Sequence, residues 1–220
     1  MGLHLERIKK SRYGKNVTVA TTMEEGSEEI LQIAKTCGCN TFQGSTHDVL
    51  DRFYQADKAF NSKYIVRLTS DCPLIDPEVI DAVIDLMLEK DLDYVTNVLV
   101  PDFPDGQDVE VVKKSALEMA WKEAKDDVAR EHATNYIYRN TDFRGGELFK
   151  AADYKNSTNY GSVRMTVDEA DDFDAIKTLV NHLGWESGWK EYTDFIINNP
   201  HLFTNQKIER NAGSKKSDGK

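Results

Sequence analysis

Asp71 and Asp168 are the two residues of this 220-residue chain whose placement speaks most directly of chemistry. Each follows a β-rich run, residues 64–69 and 162–167. In open α/β sheets the loops at the carboxyl ends of strands converge on one crevice, and helix N-termini point into it. Two carboxylates brought there can share a divalent cation. Mg²⁺ takes hard oxygen ligands, commonly one or two carboxylates completed by phosphate oxygens. A plainer account needs no metal: Asp71 turns the chain, and Asp168 caps a helix whose first turn (Glu169, Asp171, Asp172) is acidic for dipole reasons. On spacing alone the plainer account is the stronger.

Other candidates follow the same logic. Thr21-Thr22 and Gly44-Ser45-Thr46-His47-Asp48 also come directly after short β runs. Asp108 and Glu110 lie two apart on a strand and so project from one face, where solvated acids are the default. His132, after Arg130-Glu131, is as well explained by a surface position as by a substrate contact. Arg67 lies within a strand and is expected to pair with an acid near the sheet, and Cys72 to fill space as an unreactive thiol. Lys9, Lys10, Arg12 and Lys15 read as exposed surface. Cys37-x-Cys39 has metal-ligand letters but lacks a fourth ligand nearby.

The elements that must position these residues alternate β and helical periods, the pattern of a parallel α/β sheet. Strands are predicted at 17–20, 41–43, 64–69, 93–98, 108–112 and 162–167. Helices are predicted at 3–10, 27–36, 47–60, 77–87, 115–125, 128–139, from about Phe173 to Leu183, and at 189–198. Asp76-Pro77 supplies a cap and a proline for the first helical position. Ser115-Ala116-Leu117-Glu118 reads as a capping box. Residues 205–220 are polar and are expected to form a loosely held tail after one domain at 1–204.

Composition excludes several classes. With 28 Lys and Arg against 38 Asp and Glu the net charge is −10, which disfavours a nucleic-acid backbone as partner. No stretch approaches a membrane span, and the first residues lack the apolar core of a secretion signal. Three cysteines make no disulfide framework, so a reduced, cytoplasmic protein is expected.

The run Tyr64-Ile65-Val66-Arg67-Leu68-Thr69-Ser70-Asp71-Cys72-Pro73-Leu74-Ile75-Asp76-Pro77 resembles the central motif of SpsF-like cytidylyltransferases, relatives of the acylneuraminate and 3-deoxy-manno-octulosonate cytidylyltransferases. The resemblance continues in order through Val19-Ala20-Thr21-Thr22, residues 44–53, Asp93-Tyr94-Val95-Thr96-Asn97, residues 105–111, Arg130-Glu131-His132, Arg164-Met165-Thr166-Val167-Asp168 and Arg210-Asn211. It implies a three-layer α/β sandwich of the nucleotide-diphospho-sugar transferase type with a mostly parallel central sheet. It also implies transfer of a nucleotidyl group from CTP to a sugar, with Mg²⁺ held by Asp71 and Asp168. Thr21, Gly44, Ser45 and Asp48 would then lie on the nucleotide side, and Asn97, Asp108, Glu110 and His132 towards the sugar. A homodimer is compatible with this reading.

The family's opening strand and its basic glycine loop are not matched here, so a sheet lacking its first strand and an impaired reaction are expected. A non-catalytic relative is the first alternative. A nucleotide-sugar-dependent glycosyltransferase is the second; its Asp-x-Asp letters occur at Asp91-Leu92-Asp93, before a strand rather than after one.

Overall fold

The computed structural model describes residues 1–60, 62–208 and 210. Nine helices and six strands are found among them. In chain order these are α1 Gly2–Ile8, β1 Thr18–Thr21, α2 Ser27–Thr36, β2 Asn40–Gln43, α3 Val49–Asp57, β3 Tyr64–Arg67, α4 Pro77–Lys90, β4 Tyr94–Thr96, β5 Glu110–Lys113, α5 Lys114–Glu123, α6 Asp127–Glu131, α7 Asn135–Arg139, β6 Ala151–Asp153, α8 Ala170–Leu183 and α9 Trp189–Asn198.

The pleat of the strands divides the core. Val95 and Val111 face one way, into a cluster with Leu5 and Ile8 of α1 and Val79, Ile80 and Val83 of α4. Their neighbours Tyr94 and Val112 face the other way, against Leu50 of α3, Leu117 of α5 and Ile137 of α7. Alternation with period two thus builds a helix–sheet–helix sandwich. A third cluster, in which Leu74 and Met165 meet α8 and α9, closes one end.

The sheet is in two pieces. β1 and β2 pair in parallel, and the other four strands run in the order β3-β5-β4-β6. β4 and β6 are parallel, but β5 is antiparallel to both its neighbours, so the sheet is more mixed than the β-α alternation suggested. β1 and β3 do not pair. A cavity of about 940 Å³ lies between them, lined by residues 17–22, residues 62–71 and apolar side chains of α1 and α4. No strand among the described residues joins these two edges.

Four local expectations are corrected. β5 runs directly into α5, whose N-cap is Lys113 with no side-chain cap; the Lys114 N–H donates to the Lys63 carbonyl, so the Ser115–Glu118 capping box is not used. The helix expected over 128–139 breaks into α6 and α7, where the Thr134 hydroxyl turns inward to donate to Glu110. Residues 162–167 form no strand but a docked segment: the Asp105 N–H donates to the Val163 carbonyl (2.8 Å) and the Met165 N–H to the Asp105 carbonyl (2.7 Å). Residues 205–208 and 210 belong to the body, with Thr204–Lys207 in a 3-10 turn and Asn205 fully buried; the rest of the expected tail lies outside the described residues.

The docked segment leaves no room above Gly106. This residue has φ +111°, and a Cβ there would lie 2.8 Å from the Met165 carbonyl carbon and oxygen. The expected cost of Gly106→Ala combines roughly 1–3 kcal/mol of backbone strain with that overlap. Urea unfolding should show a clear drop in midpoint, and an unchanged midpoint would refute this packing.

Candidate functional site

Asp71 and Asp168 emerge from adjoining segments. The Asp71 carbonyl accepts from the Val167 N–H (2.8 Å) and the Thr166 hydroxyl (3.2 Å), so the two loops are tied one residue short of Asp168. Among the described residues, the Asp71 carboxylate meets no donor but the neighbouring Cys72 thiol at 3.4 Å. Burial pushes that thiol well above its usual range, and Asp71 and Asp108 push it further, so it stays protonated and unreactive. Asp168 does not cap α8. The N-cap is Glu169, and the capping carboxylate is Asp172, which accepts from the Asp168 and Glu169 N–H groups at 3.0 Å each.

What orients Asp168 is Arg164. This guanidinium, with its side chain 3% exposed, donates to Asp168 (2.7 Å), Asp172 (2.8 and 2.7 Å) and Asp105 (3.1 Å). Gln206 accepts from the Arg164 N–H and donates to its carbonyl. Burial alone would raise the Asp172 pKa, but bonds from Arg164, Asn205 and two backbone amides hold it down to about 2. Next to this clamp, Arg210 donates to Asp108 (2.5 Å) and lies 3.7 Å from Asp105. Burial nonetheless pushes Asp108 up to about 6, against the pull of Arg210 and with the help of the negative charge on Asp105.

Among the residues placed towards the nucleotide by resemblance, the Thr21 carbonyl accepts from the Gly44 N–H, and the Ser45 hydroxyl accepts from the Asp48 N–H (3.0 Å). Asp48 caps α3 through the Asp51 N–H and pairs with Arg130 through its other oxygen. Arg52 donates to the Ser45 carbonyl at 2.8 Å. Thr21, Thr22, Arg52, Ser70 and Asp71 all line the cavity between β1 and β3.

The residues placed towards a sugar by resemblance are distributed differently. Asn97 uses its amide on backbone, donating to the Gln107 carbonyl (2.7 Å) and accepting from the Val109 N–H (2.9 Å). Glu110 is buried and accepts from Arg67, the Tyr94 hydroxyl and the Thr134 hydroxyl. Both hold the segment that carries Asp108. His132 is half-buried just after α6. The charge of Asp108 is felt at Cys72 together with that of Asp71.

Sequence reasoning missed the supporting roles of Arg164, Asp172, Gln107 and Arg210. Gln107 is fully buried, accepting from the Asp76 N–H (2.8 Å) and donating to the Leu74 carbonyl (3.0 Å), so it locks the Asp71 loop to the Asp108 segment. The acid at every fourth position after Arg164 was the available signal, obscured by a strand assignment that would splay those side chains apart.

The donor set suits Mg²⁺. It is all hard oxygen, and no group of three or more His, Cys, Asp or Glu among the described residues is gathered as a cage. A cation between Asp71 and Asp168 would therefore have most of its shell open for water and ligand oxygens.

The chain is similar to several known proteins. Residues 2–200 match the cytidylyltransferase family. An uncharacterized protein of Methanocaldococcus jannaschii is 37% identical over 204 residues, covering 90% of this chain and 79% of its own length. The spore coat polysaccharide biosynthesis protein SpsF of Bacillus subtilis is 32% identical over 176 residues, covering 77% and 68%. The structure of a cytidylyltransferase from Leptospira borgpetersenii superposes with a TM-score of 0.87 at 33% identity, covering 95% of this chain and 87% of that one.

Asp108 and Asp172 give opposite pH signatures. Asp108 holds its proton to higher pH folded than unfolded, so its contribution to stability falls as pH rises from about 4 to about 6. Asp172 has a depressed pKa, so its contribution is complete above its unfolded value of 3.8 and is lost as pH falls towards 2. Carboxyl ¹³C NMR titration should find Asp108 titrating near 6 and Asp172 still ionised at pH 3; interchanged midpoints would overturn the assignment.

Proposed function

The chain belongs to the cytidylyltransferase family, and from that premise we propose that it transfers the CMP group of CTP to a hydroxyl of a sugar or sugar acid. The acceptor oxygen attacks the α-phosphorus, the bond from that phosphorus to the α,β-bridging oxygen breaks, pyrophosphate leaves, and the hydroxyl proton is released. The observation that carries this reading is Asp71: a carboxylate with no nitrogen or hydroxyl donor among the described residues, joined through its backbone to the Asp168 segment, lining a cavity that also presents Thr21, Thr22 and Ser70.

The residues divide the work by position. Asp71 and Asp168 would hold Mg²⁺, which when bound neutralises part of the triphosphate charge. Arg164 fixes Asp168, so that carboxylate is pre-oriented rather than recruited. The Gly44–Asp48 turn, stiffened by Arg130 and Arg52, faces the nucleotide. Asp108 accepts from Arg210 through one oxygen, leaving its second oxygen to accept from an acceptor hydroxyl. Positioning and electrostatics supply nearly all of the rate in such a transfer.

Turnover by this chain is expected to be slow. Arg67, Arg130, Arg164 and Arg210 are each already paired with an acid, which leaves little positive charge for a triphosphate. The three free cysteines suit a reducing compartment, the cytoplasm. No helix among the described residues is long and apolar enough to cross a membrane. The glycosyltransferase alternative loses its motif: Asp91 pairs with Lys63 and Lys113 at the surface, and Asp93 accepts from the Lys150 N–H.

The test separates binding from turnover. Asp71→Ala should weaken Mn²⁺-dependent CTP binding at least tenfold in calorimetry while leaving the urea midpoint in place; unchanged binding removes Asp71 from the site. Pyrophosphate release from CTP is then followed across a panel of sugar acids. Release with one acceptor supports the transfer, CTP binding without release favours a non-catalytic relative, and absence of both contradicts the reading.

A further inference from the structure

We propose that Arg52, which lines the cavity between β1 and β3, is an anion-binding residue, and that it receives a phosphoryl group of the nucleotide. The proposal rests on the CTP reading for the identity of the ligand but not for the existence of the site.

Three observations converge on this side chain. First, it is a half-buried guanidinium with no acid on it among the described residues, whereas Arg67, Arg130, Arg164 and Arg210 all have carboxylate partners. Second, its Nε is fully buried with no hydrogen-bond partner. A buried donor left unsatisfied forfeits about what a hydrogen bond is worth, and sites that keep such donors call for an explanation. Third, it lines the cavity that also holds Asp71, Thr21, Thr22 and Ser70, so it stands among hydroxyls that also donate to anions.

A purely structural role accounts for only part of the residue. Its Nη1 donates to the Ser45 carbonyl, and its Cβ and Cγ pack so closely on Gly44 that a Cβ there would lie 3.0 Å from Cγ. Those contacts fix the position of the guanidinium and shape the Gly44–Ser45 turn, yet they leave Nε idle. Burial lowers the Arg52 pKa with nothing nearby to restore it, the electrostatic signature of a cation whose counter-charge arrives from outside. Asp71 at the same cavity repels a bare anion, so the fitting ligand is a polyphosphate accompanied by a divalent cation.

The experiment uses the whole chain and three probes: Mg²⁺-tripolyphosphate, Mg²⁺-CTP and cytidine. In wild type, the Arg Nε–H resonance that is missing from the Arg52→Lys spectrum should shift with tripolyphosphate and with CTP, but not with cytidine. Arg52→Gln should lose ~10- to 100-fold affinity for both phosphates, the range of a charge-assisted hydrogen bond, with cytidine affinity unchanged. Arg52→Lys, which keeps the charge, should retain part of the affinity. A shift with tripolyphosphate but no CTP binding would sustain the anion site and overturn the cytidylyl reading. CTP binding with an unmoved Nε–H, or an equal loss for cytidine and CTP in Arg52→Gln, would overturn the role of Arg52 alone. If Arg52→Gln fails to fold, the wild-type resonance and Arg52→Lys decide the matter.

Discussion

Three aspartates from three parts of the chain share one buried guanidinium, and the acidic end of this molecule is arranged around that contact. Arg164 holds Asp105 from the turn before β5, Asp168 from the loop before α8, and Asp172 from the first turn of α8. A buried pair of this kind contributes modestly to net stability, but removing one partner typically costs about 3–5 kcal/mol because a charge is stranded. The clamp therefore fixes geometry more than it adds stability. It sets the direction of Asp168, anchors the segment that bonds to Asp71, and with Gln206 gathers the chain beyond α9 onto the same spot.

A second layer of polar contacts transmits that order to the helices. Gln107 ties the Asp71 loop to the Asp108 segment, and Asp76 caps α4 while accepting from the Trp189 N–H at the start of α9. Buried networks with every member satisfied rigidify a site. Asn97 and Glu110 belong to this layer and hold the segment that carries Asp108.

Much of the fold was legible because local chemistry and tertiary structure agree. Asp76-Pro77 caps and opens α4, and α2 and α9 begin and end where the apolar period does. The misses share a physical cause, a long-range contact that outweighs local preference. Residues 162–167 have strand composition, yet their backbone groups go to Asp105 and Asp71. Ala151-Ala152-Asp153 has weak strand propensity and is recruited as β6 by pairing with β4. Asn205 and Gln206 looked like tail because nothing nearby in sequence reveals that Asp172 and Arg164 need them. The acidic pair was visible as residues at strand ends, whereas the guanidinium that orients Asp168 was not: a strand expected over 162–167 hid its i,i+4 relation to Asp168, and its partner Asp105 lies 59 positions away.

Under the proposed function, a metal-bound nucleotide would meet this protein where Asp71, Asp168 and the Arg164 clamp converge. Paramagnetic broadening of backbone amides by Mn²⁺-CTP tests it directly. The account predicts that broadening centres on Ser70, Asp71, Asp108, Val167 and Asp168, and that it weakens sharply when CTP is withheld. Broadening centred on surface acids such as Asp91 or Asp85, or equally strong with Mn²⁺ alone, would contradict it.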